Sequence, residues 1–357
     1  MLGLPRIAFS AASTTTEQDG TQWHDVREWG VEGRGWNDTA RYFDRLPAKA
    51  EAMVRPAVWN LSRHSAGMCV RFATDSAVIR AGYSLLSSNL AMPHMAATGV
   101  SGLDLYAADE AGRMRWVAVA QPTRQEMEIT LAANLRPGRR EYALYLPLYN
   151  GVESLQVGVA PGTAFEPIPP RQTGLLAYYG TSIAHGACAG RPGMAFPASL
   201  GRRLGLPHVN LGFSGNGKME PELADLLAEL DAAVYCIDCL PNLTAPEIEE
   251  RAETFVKKLR GARPNVPIVL IEDRTYGNSW ILPERRSRND TSRAAFRAAY
   301  RRLLEAGVTG LEYVEGEHLL GDDDEATIDG SHPSDLGMMR MADTLEPVLR
   351  RVLKLPA

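Results

Sequence analysis

The run Leu175-Leu176-Ala177-Tyr178-Tyr179-Gly180-Thr181-Ser182 decides how the chain is read. Apolar and aromatic residues lead into Gly-Thr-Ser and a stretch of small residues, which describes a buried strand ending in a tight turn. A strand apolar on both faces belongs to a parallel sheet covered by helices on each side. In such a sheet the crevice beyond the carboxyl ends of the strands is where ligands bind. A serine hydroxyl lifted out there is placed for attack, provided a base and an oxyanion site come from elsewhere in the chain.

Downstream of this run strand and helix patterns alternate, the sign of a doubly wound α/β domain. Strands are expected at 175–179, 208–212, 233–239, 267–272 and 310–314, and helices at 195–204, 221–230, 245–259, 291–305 and 335–353. Thr244 and Glu247 fit a capping box with Pro246 in the first turn. Ser334 is placed to cap the last helix, and Pro347 inside that helix predicts a kink. With five parallel strands in the flavodoxin-like order 2-1-3-4-5 and helices on both faces, the switch point falls between the first and third strands.

Upstream the pattern is different. Between residues 68 and 159 short alternating runs are separated by turns such as Arg136-Pro137-Gly138-Arg139, and they predict an all-β, jelly-roll-like sandwich. Pro161, Pro167, Pro169 and Pro170 mark the boundary. The expected division is a sandwich domain with an irregular lead-in over residues 1–165 and an α/β domain over 170–357. Trp23, Trp29 and Trp36 of the lead-in read either as anchors against a sheet or as a sugar-stacking surface.

Composition bounds the functions on offer. The 357 residues are 45% hydrophobic and 23% charged with a net charge of -5, which is ordinary for a folded globular protein. That balance offers no surface for nucleic acid or an anionic membrane. No run approaches the ~20 apolar residues of a membrane span. Residues 1–13 are faintly signal-like, but no basic residue precedes the apolar part and Pro5 and Arg6 interrupt it, so the location stays open. Cys69, Cys188, Cys236 and Cys239 are too few for a disulfide scaffold. Cys236 and Cys239 stand three apart on a strand and so point to opposite faces. Cys188 and Cys239 both fall just past strand ends that frame the crevice, which leaves a disulfide between them open.

The chemistry converges on that crevice. Gly212-Phe213-Ser214-Gly215-Asn216-Gly217 follows the second strand and Leu240-Pro241-Asn242 follows the third. The backbone amides of Ser182 and Gly215 and the side-chain amide of Asn242 are candidate donors to a developing oxyanion. The base is expected on the loop after the fifth strand, in Asp329-Gly330-Ser331-His332. A carboxylate three residues before a histidine can bend back onto one ring nitrogen and turn the other toward the serine. Arg191 reads equally as a rim residue in contact with substrate, and so a candidate substrate-binding residue, or as a surface residue. Asp322-Asp323-Asp324-Glu325 reads as a solvated loop in preference to a calcium site.

Gly180-Thr181-Ser182, Gly215, Asn242 and Asp329-Gly330-Ser331-His332 resemble, in order and spacing, the four blocks of the SGNH (GDSL-type) hydrolases. The first block departs from the family pattern, with Gly-Thr-Ser for Gly-Asp-Ser, and the third reads Leu-Pro-Asn. Upstream, Gly102-Leu103-Asp104-Leu105-Tyr106 resembles the Gly-x-Asp-Leu-Tyr motif of a β-sandwich that precedes some bacterial SGNH domains. The resemblance implies Ser182 as nucleophile, His332 as base, Asp329 as its partner, and Gly215 and Asn242 in the oxyanion hole. It implies a serine esterase working through an acyl-enzyme on short, acetyl-like esters of a sugar or polysaccharide, with no metal or organic cofactor. The expected partner is a small-molecule or glycan ester, with neither nucleic acid nor membrane, and an oligomer stays open. Lipase, thioesterase or acyl-transferase chemistry on the same site is the nearer rival. A carbohydrate-binding protein with a vestigial hydrolase domain is the more distant one.

Overall fold

The computed structural model describes residues 16–356, so the signal-like opening lies outside the described residues. Ten strands build the sandwich: β1 (Thr16–Gln18), β2 (Thr21–Asp25), β3 (Cys69–Thr74), β4 (Ile79–Leu85), β5 (Asp104–Ala108), β6 (Met114–Val119), β7 (Glu126–Ala132), β8 (Arg140–Tyr145), β9 (Val152–Val159) and β10 (Phe165–Pro167). One antiparallel sheet runs β1-β2-β9-β4-β7 and the other β10-β3-β8-β5-β6. The period of two explains the packing. Ile79, Ala81, Tyr83 and Leu85 of β4 are buried, while Arg80, Gly82 and Ser84 between them are partly exposed. Val70, Phe72, Leu105 and Leu144 from the opposite sheet close that core.

The five remaining strands, β11 (Leu175–Gly180), β12 (His208–Gly212), β13 (Ala232–Asp238), β14 (Ile268–Ile271) and β15 (Leu311–Val314), are all parallel. Their spatial order is β12-β11-β13-β14-β15. Renumbered from β11, this is the expected 2-1-3-4-5. The helices are α1 (Pro56–Ser62) in the lead-in, α2 (Ala97–Val100) in the sandwich, then α3 (Ser182–His185), α4 (Phe196–Leu204), α5 (Pro221–Ala228), α6 (Ala245–Ala262), α7 (Pro283–Glu305) and α8 (Asp335–Leu353). Alternate strand residues serve opposite cores. Ala177, Tyr179, Tyr235 and Ile237 pack with α5, α6 and α7, whereas Leu176, Tyr178, Val234 and Cys236 pack with α4 and α8. This two-sided burial is why the strands read as unbroken apolar runs.

Three local features differ from the sequence expectation or refine it. The backbone N–H of Thr244 donates to Glu247 at 2.8 Å, the reciprocal half of the capping box. Ser334 does not cap α8 through its side chain; its hydroxyl donates to the Ala326 carbonyl at 3.2 Å, tying the helix start to the preceding loop. Helix α7 starts at Pro283, eight residues before the expected 291. The first half of its buried face carries Asn289, Ser292 and Arg293, so apolar periodicity is missing there.

The lead-in crosses from one domain to the other. Trp36, Leu46, Ala50, Val54, Val58 and Trp59 join the same core as α5 and α6. Trp36 donates from its indole to Glu229 at 2.8 Å, Trp29 to the Arg71 carbonyl at 3.0 Å, and Trp23 is buried. The lead-in tryptophans are therefore anchors.

Candidate active site

Strand β11 ends at Gly180, Thr181 is extended, and Ser182 opens the one-turn helix α3. The Thr181 hydroxyl accepts from the Ile183 N–H at 3.3 Å, so threonine caps the turn where the family pattern has aspartate. Gly186 in the left-handed region, at φ 107, closes the turn. Close approach needs glycine at two neighbouring points. A Cβ on Gly212 would lie 2.1 Å from the His185 nitrogen, and one on Gly217 would lie 2.2 Å from the Gly180 oxygen. The turn therefore seats flush against the strand ends, and the loop after β12 lies directly on it.

The Ser182 Oγ meets His332 Nε2 at 2.9 Å, and His332 Nδ1 meets Asp329 Oδ2 at 2.7 Å. The other Asp329 oxygen accepts from the backbone N–H of Ser331 at 3.0 Å and of His332 at 2.8 Å. Gly330, at φ 85, permits this backward bend, and a Cβ there would lie 2.7 Å from the Asn278 amide. Burial works against the Asp329 charge, but the hydrogen bonds from His332 and Ser331 outweigh it and hold the carboxyl at about 2. An ionised carboxylate accepts only, so the proton sits on Nδ1 and Nε2 faces the serine. Ser182 itself is only 6% exposed.

The second and third blocks join this arrangement through contacts. Gly217 lies against Gly180, and its N–H donates to Asn242 Oδ1 at 3.1 Å. That bond fixes the Asn242 amide and leaves its Nδ2 as the free donor. Gly215 sits in the left-handed region, at φ 68, with open space where a Cβ would be. Ser182, Asp329 and His332 are thus brought together directly, and Asn242 joins them through Gly217.

Arg191 is placed otherwise. Its Nη1 donates to Asp104 Oδ2 at 2.8 Å and to the Tyr106 hydroxyl at 2.5 Å, and its guanidinium lies 5.1 Å from the Trp116 ring. Asp104 is fully buried and also accepts from the Gly193 N–H at 2.8 Å and the Trp116 indole at 3.0 Å. The Gly-x-Asp-Leu-Tyr motif therefore clamps the loop behind the nucleophile to the sandwich, and Arg191 is the gripped residue.

The cysteines correct one possibility. All four are free and buried, so Cys188 and Cys239 form no disulfide. Cys239 directs its thiol to the Tyr179 carbonyl at 3.8 Å, and burial pushes the Cys188 thiol up to about 12. Cys236 and Cys239 belong to the cores on opposite faces of the sheet, as their spacing predicts. In the acidic loop Asp323 pairs with Arg340 at 2.6 Å and Asp322 with His318 at 2.8 Å. Among the described residues no cluster of three potential metal ligands occurs, and no helix is long and apolar enough to cross a membrane.

Sequence reasoning missed what the sandwich and lead-in bring to the site. The Tyr149 hydroxyl donates to the Ser182 carbonyl at 3.2 Å and also meets the side chain of Ser214, while its ring stacks on His185 at 4.1 Å. Arg45 of the lead-in is buried and donates to the carbonyls of Asn210 at 3.0 Å, Gly212 at 2.8 Å, Leu61 at 2.7 Å and His64 at 2.9 Å. His94 on a sandwich loop stands 5.9 Å, ring centre to ring centre, from His332. Tyr149 had the signal of a turn residue beside Asn150-Gly151, and the other two had none. A cleft of about 840 Å³ lies elsewhere, among Tyr106, Arg202 and His208 between the two domains, and Ser182 does not line it.

A strand-end serine, a histidine and a carboxylate in hydrogen-bonded series, on a 2-1-3-4-5 parallel sheet, define the class of SGNH-type serine hydrolases. Residues 174–350 match the GDSL-like Lipase/Acylhydrolase family, and residues 21–165 match the family described as the N-terminus of Esterase_SGNH_hydro-type. A crystal structure from Bacteroides ovatus, titled as a GDSL-like lipase, is 33% identical with a TM-score of 0.90, over 94% of this chain and 99% of that one. The chain belongs to the GDSL-like lipase/acylhydrolase family and is an ester hydrolase. The same two-domain fold recurs in a salicylyl-acyltransferase, SsfX3, from a tetracycline biosynthetic pathway, at 18% identity and TM-score 0.68, over 96% of this chain and 94% of that one. It recurs again in a family two carbohydrate esterase from Cellvibrio japonicus, at 14% identity and TM-score 0.61, over 94% of this chain and 98% of that one. No curated protein matches the chain in sequence.

Proposed function

We propose that the protein is a serine esterase that removes short acyl groups, acetyl foremost, from a sugar or polysaccharide through an acyl-enzyme intermediate. The observation that carries the reading is the series Ser182–His332–Asp329, closed at 2.9 and 2.7 Å. His332 Nε2 takes the Ser182 proton as Oγ attacks the ester carbonyl. The amides of Ser182 and Gly215 and the Asn242 Nδ2 meet the charge that develops on the carbonyl oxygen. His332 then protonates the leaving alcohol, activates water against the acyl-enzyme, and returns the proton to Ser182 as the acid departs. Asp329 stays ionised throughout and stabilises the imidazolium. The sugar acceptor is supported by the shared layout with the carbohydrate esterase, a likeness of fold.

Ser182→Ala should lower kcat on an aryl acetate by at least about 10⁴-fold with an unchanged melting temperature. Retained activity overturns the assignment. A chain-length series of aryl esters then tests the acyl preference, and a steep fall beyond acetyl is the expected result. The SsfX3 likeness keeps acyl transfer as the second reading. Product analysis with an added polyol separates the two, since transfer yields a new ester and hydrolysis only free acid. The substrate is expected to be a small-molecule or glycan ester, with no nucleic-acid or membrane partner.

A further inference from the structure

We propose that the sandwich builds the acceptor side of the active site, with the His94 imidazole hydrogen-bonding a hydroxyl vicinal to the ester on a sugar or polyol substrate. The inference rests on the sugar-ester reading above and names which atoms of that substrate the second domain would hold.

The loop that carries His94 is fixed in place. Met92 and Met95 exchange two backbone hydrogen bonds of 3.0 Å, closing a tight turn with His94 inside it. Met95 is buried in the core that holds Ile183 and Ala184 of the nucleophile turn. Helix α2 follows directly and is bolted to the loop behind the nucleophile. Thr98 donates to the Gly190 carbonyl at 2.6 Å, and a Cβ on Gly99 would lie 2.2 Å from the Ala189 oxygen. A rigid turn pinned on both flanks holds its tip in one position relative to Ser182.

The ring at that tip is uncommitted. His94 is exposed, and among the described residues none hydrogen-bonds to its imidazole. Its ring centre lies 5.9 Å from that of His332, the planes inclined by 39°. The leaving oxygen of an ester must come within hydrogen-bond reach of His332 Nε2, because that nitrogen delivers its proton. The carbons attached to that oxygen therefore extend over the rim where the second imidazole stands. A neutral imidazole both donates and accepts, which suits a hydroxyl. A vicinal hydroxyl is a group that a pyranose acylated at a single secondary ring position carries and that an aryl acetate lacks. Held by a preorganised partner, it orients the scissile bond.

The test compares two substrate classes in full-length protein. His94→Ala should lower kcat/KM for a monoacetylated pyranoside by about five- to tenfold, the worth of one neutral hydrogen bond. It should change kcat/KM for an aryl acetate by less than about twofold, and leave fluorophosphonate labelling of Ser182 intact. His94→Asn, which keeps a donor and an acceptor, should recover part of the loss. An equal effect on both substrates, or none on either, overturns the role of His94 while leaving the esterase reading standing. A wild-type enzyme that cleaves aryl acetates but no sugar acetate overturns the acceptor reading and this inference with it. A wild-type enzyme that neither labels nor cleaves an aryl ester sinks the esterase assignment itself.

Discussion

The nucleophile turn has two sides, and they are held by different physics. On the sheet side it is held by backbone and small residues: Gly212 and Gly217 allow contacts that any Cβ would forbid, and Asn242 reaches Gly217 through one amide. On the sandwich side it is held by buried polar groups from distant sequence. Tyr149 bonds the Ser182 carbonyl, Arg45 ties four carbonyls, and His64 and His185 lie against them. The sheet side fixes the reacting atoms by steric exclusion, which is indifferent to pH and salt. The sandwich side fixes them by charge and hydrogen bonding, which is not. Breaking the two sides should therefore give different signatures.

The largest effect belongs to the sheet side. Asn242→Ala removes an oxyanion donor and should lower kcat by about 10² to 10³-fold with little change in KM. Steady-state kinetics on an aryl acetate checks it, and a loss confined to KM would move Asn242 from the oxyanion hole to the substrate-binding surface. Gly212→Ala should act on stability instead. Its Cβ would lie 2.1 Å from the His185 nitrogen, a backbone atom with no rotamer to give way. Overpacking of that kind costs roughly 1–3 kcal/mol, read as a lowered denaturation midpoint at an unchanged m-value.

The same division explains what was legible in the sequence. Strand β11 and its partners could be read because burial on both faces leaves an unbroken apolar record, and Gly215 and Gly330 mark sharp backbone events. The Asp329–His332 pair was legible because its geometry is local, three residues across a glycine. The start of α7 was not, since Asn289 and Arg293 are buried there for their hydrogen bonds and break the periodic signal. Arg45, Tyr149 and His94 were invisible for a related reason. Their roles depend on how two domains dock, and no local pattern encodes a contact such as that of Arg45 with Gly212. Arg191 shows the converse: its place in the loop after Ser182 left a rim role and a surface role equally open, and the docking hands it to Asp104 and Tyr106.

The sandwich side should be sensitive to acid. Burial, together with the adjacent Arg45 charge, brings His64 down from 6.5 to about 3 and holds His185 well below its usual value. Burial brings even the Arg45 guanidinium down to about 9. A histidine kept neutral in the fold binds its proton more readily once unfolded. Its contribution to stability is whole above about pH 6.5 and is lost as pH falls toward 3. The melting temperature should therefore decline between pH 6.5 and 4, and His64→Gln should flatten that decline by up to one proton's worth of slope. An identical pH profile in the two proteins would show that His64 is not the acid-sensitive element.

The smallest effect is the most discriminating. Tyr149→Phe keeps the ring that stacks on His185 at 4.1 Å and deletes only the hydroxyl that bonds Ser182 and Ser214. A hydrogen bond of this kind is worth about 1 kcal/mol, so folding stability should drop only slightly. If the hydroxyl serves the fold alone, that drop is the whole effect. If it also keeps the amides of Ser182 and Gly215 aimed at one point, kcat should fall about threefold to tenfold with KM unchanged, because a donor displaced by a fraction of an ångström fails first in the transition state. Fluorophosphonate labelling should slow in parallel, since it uses the same oxyanion donors. A stability loss with unchanged kcat would confine the sandwich to holding the turn, and a kcat loss with near-native stability would make Tyr149 part of how the turn is aimed.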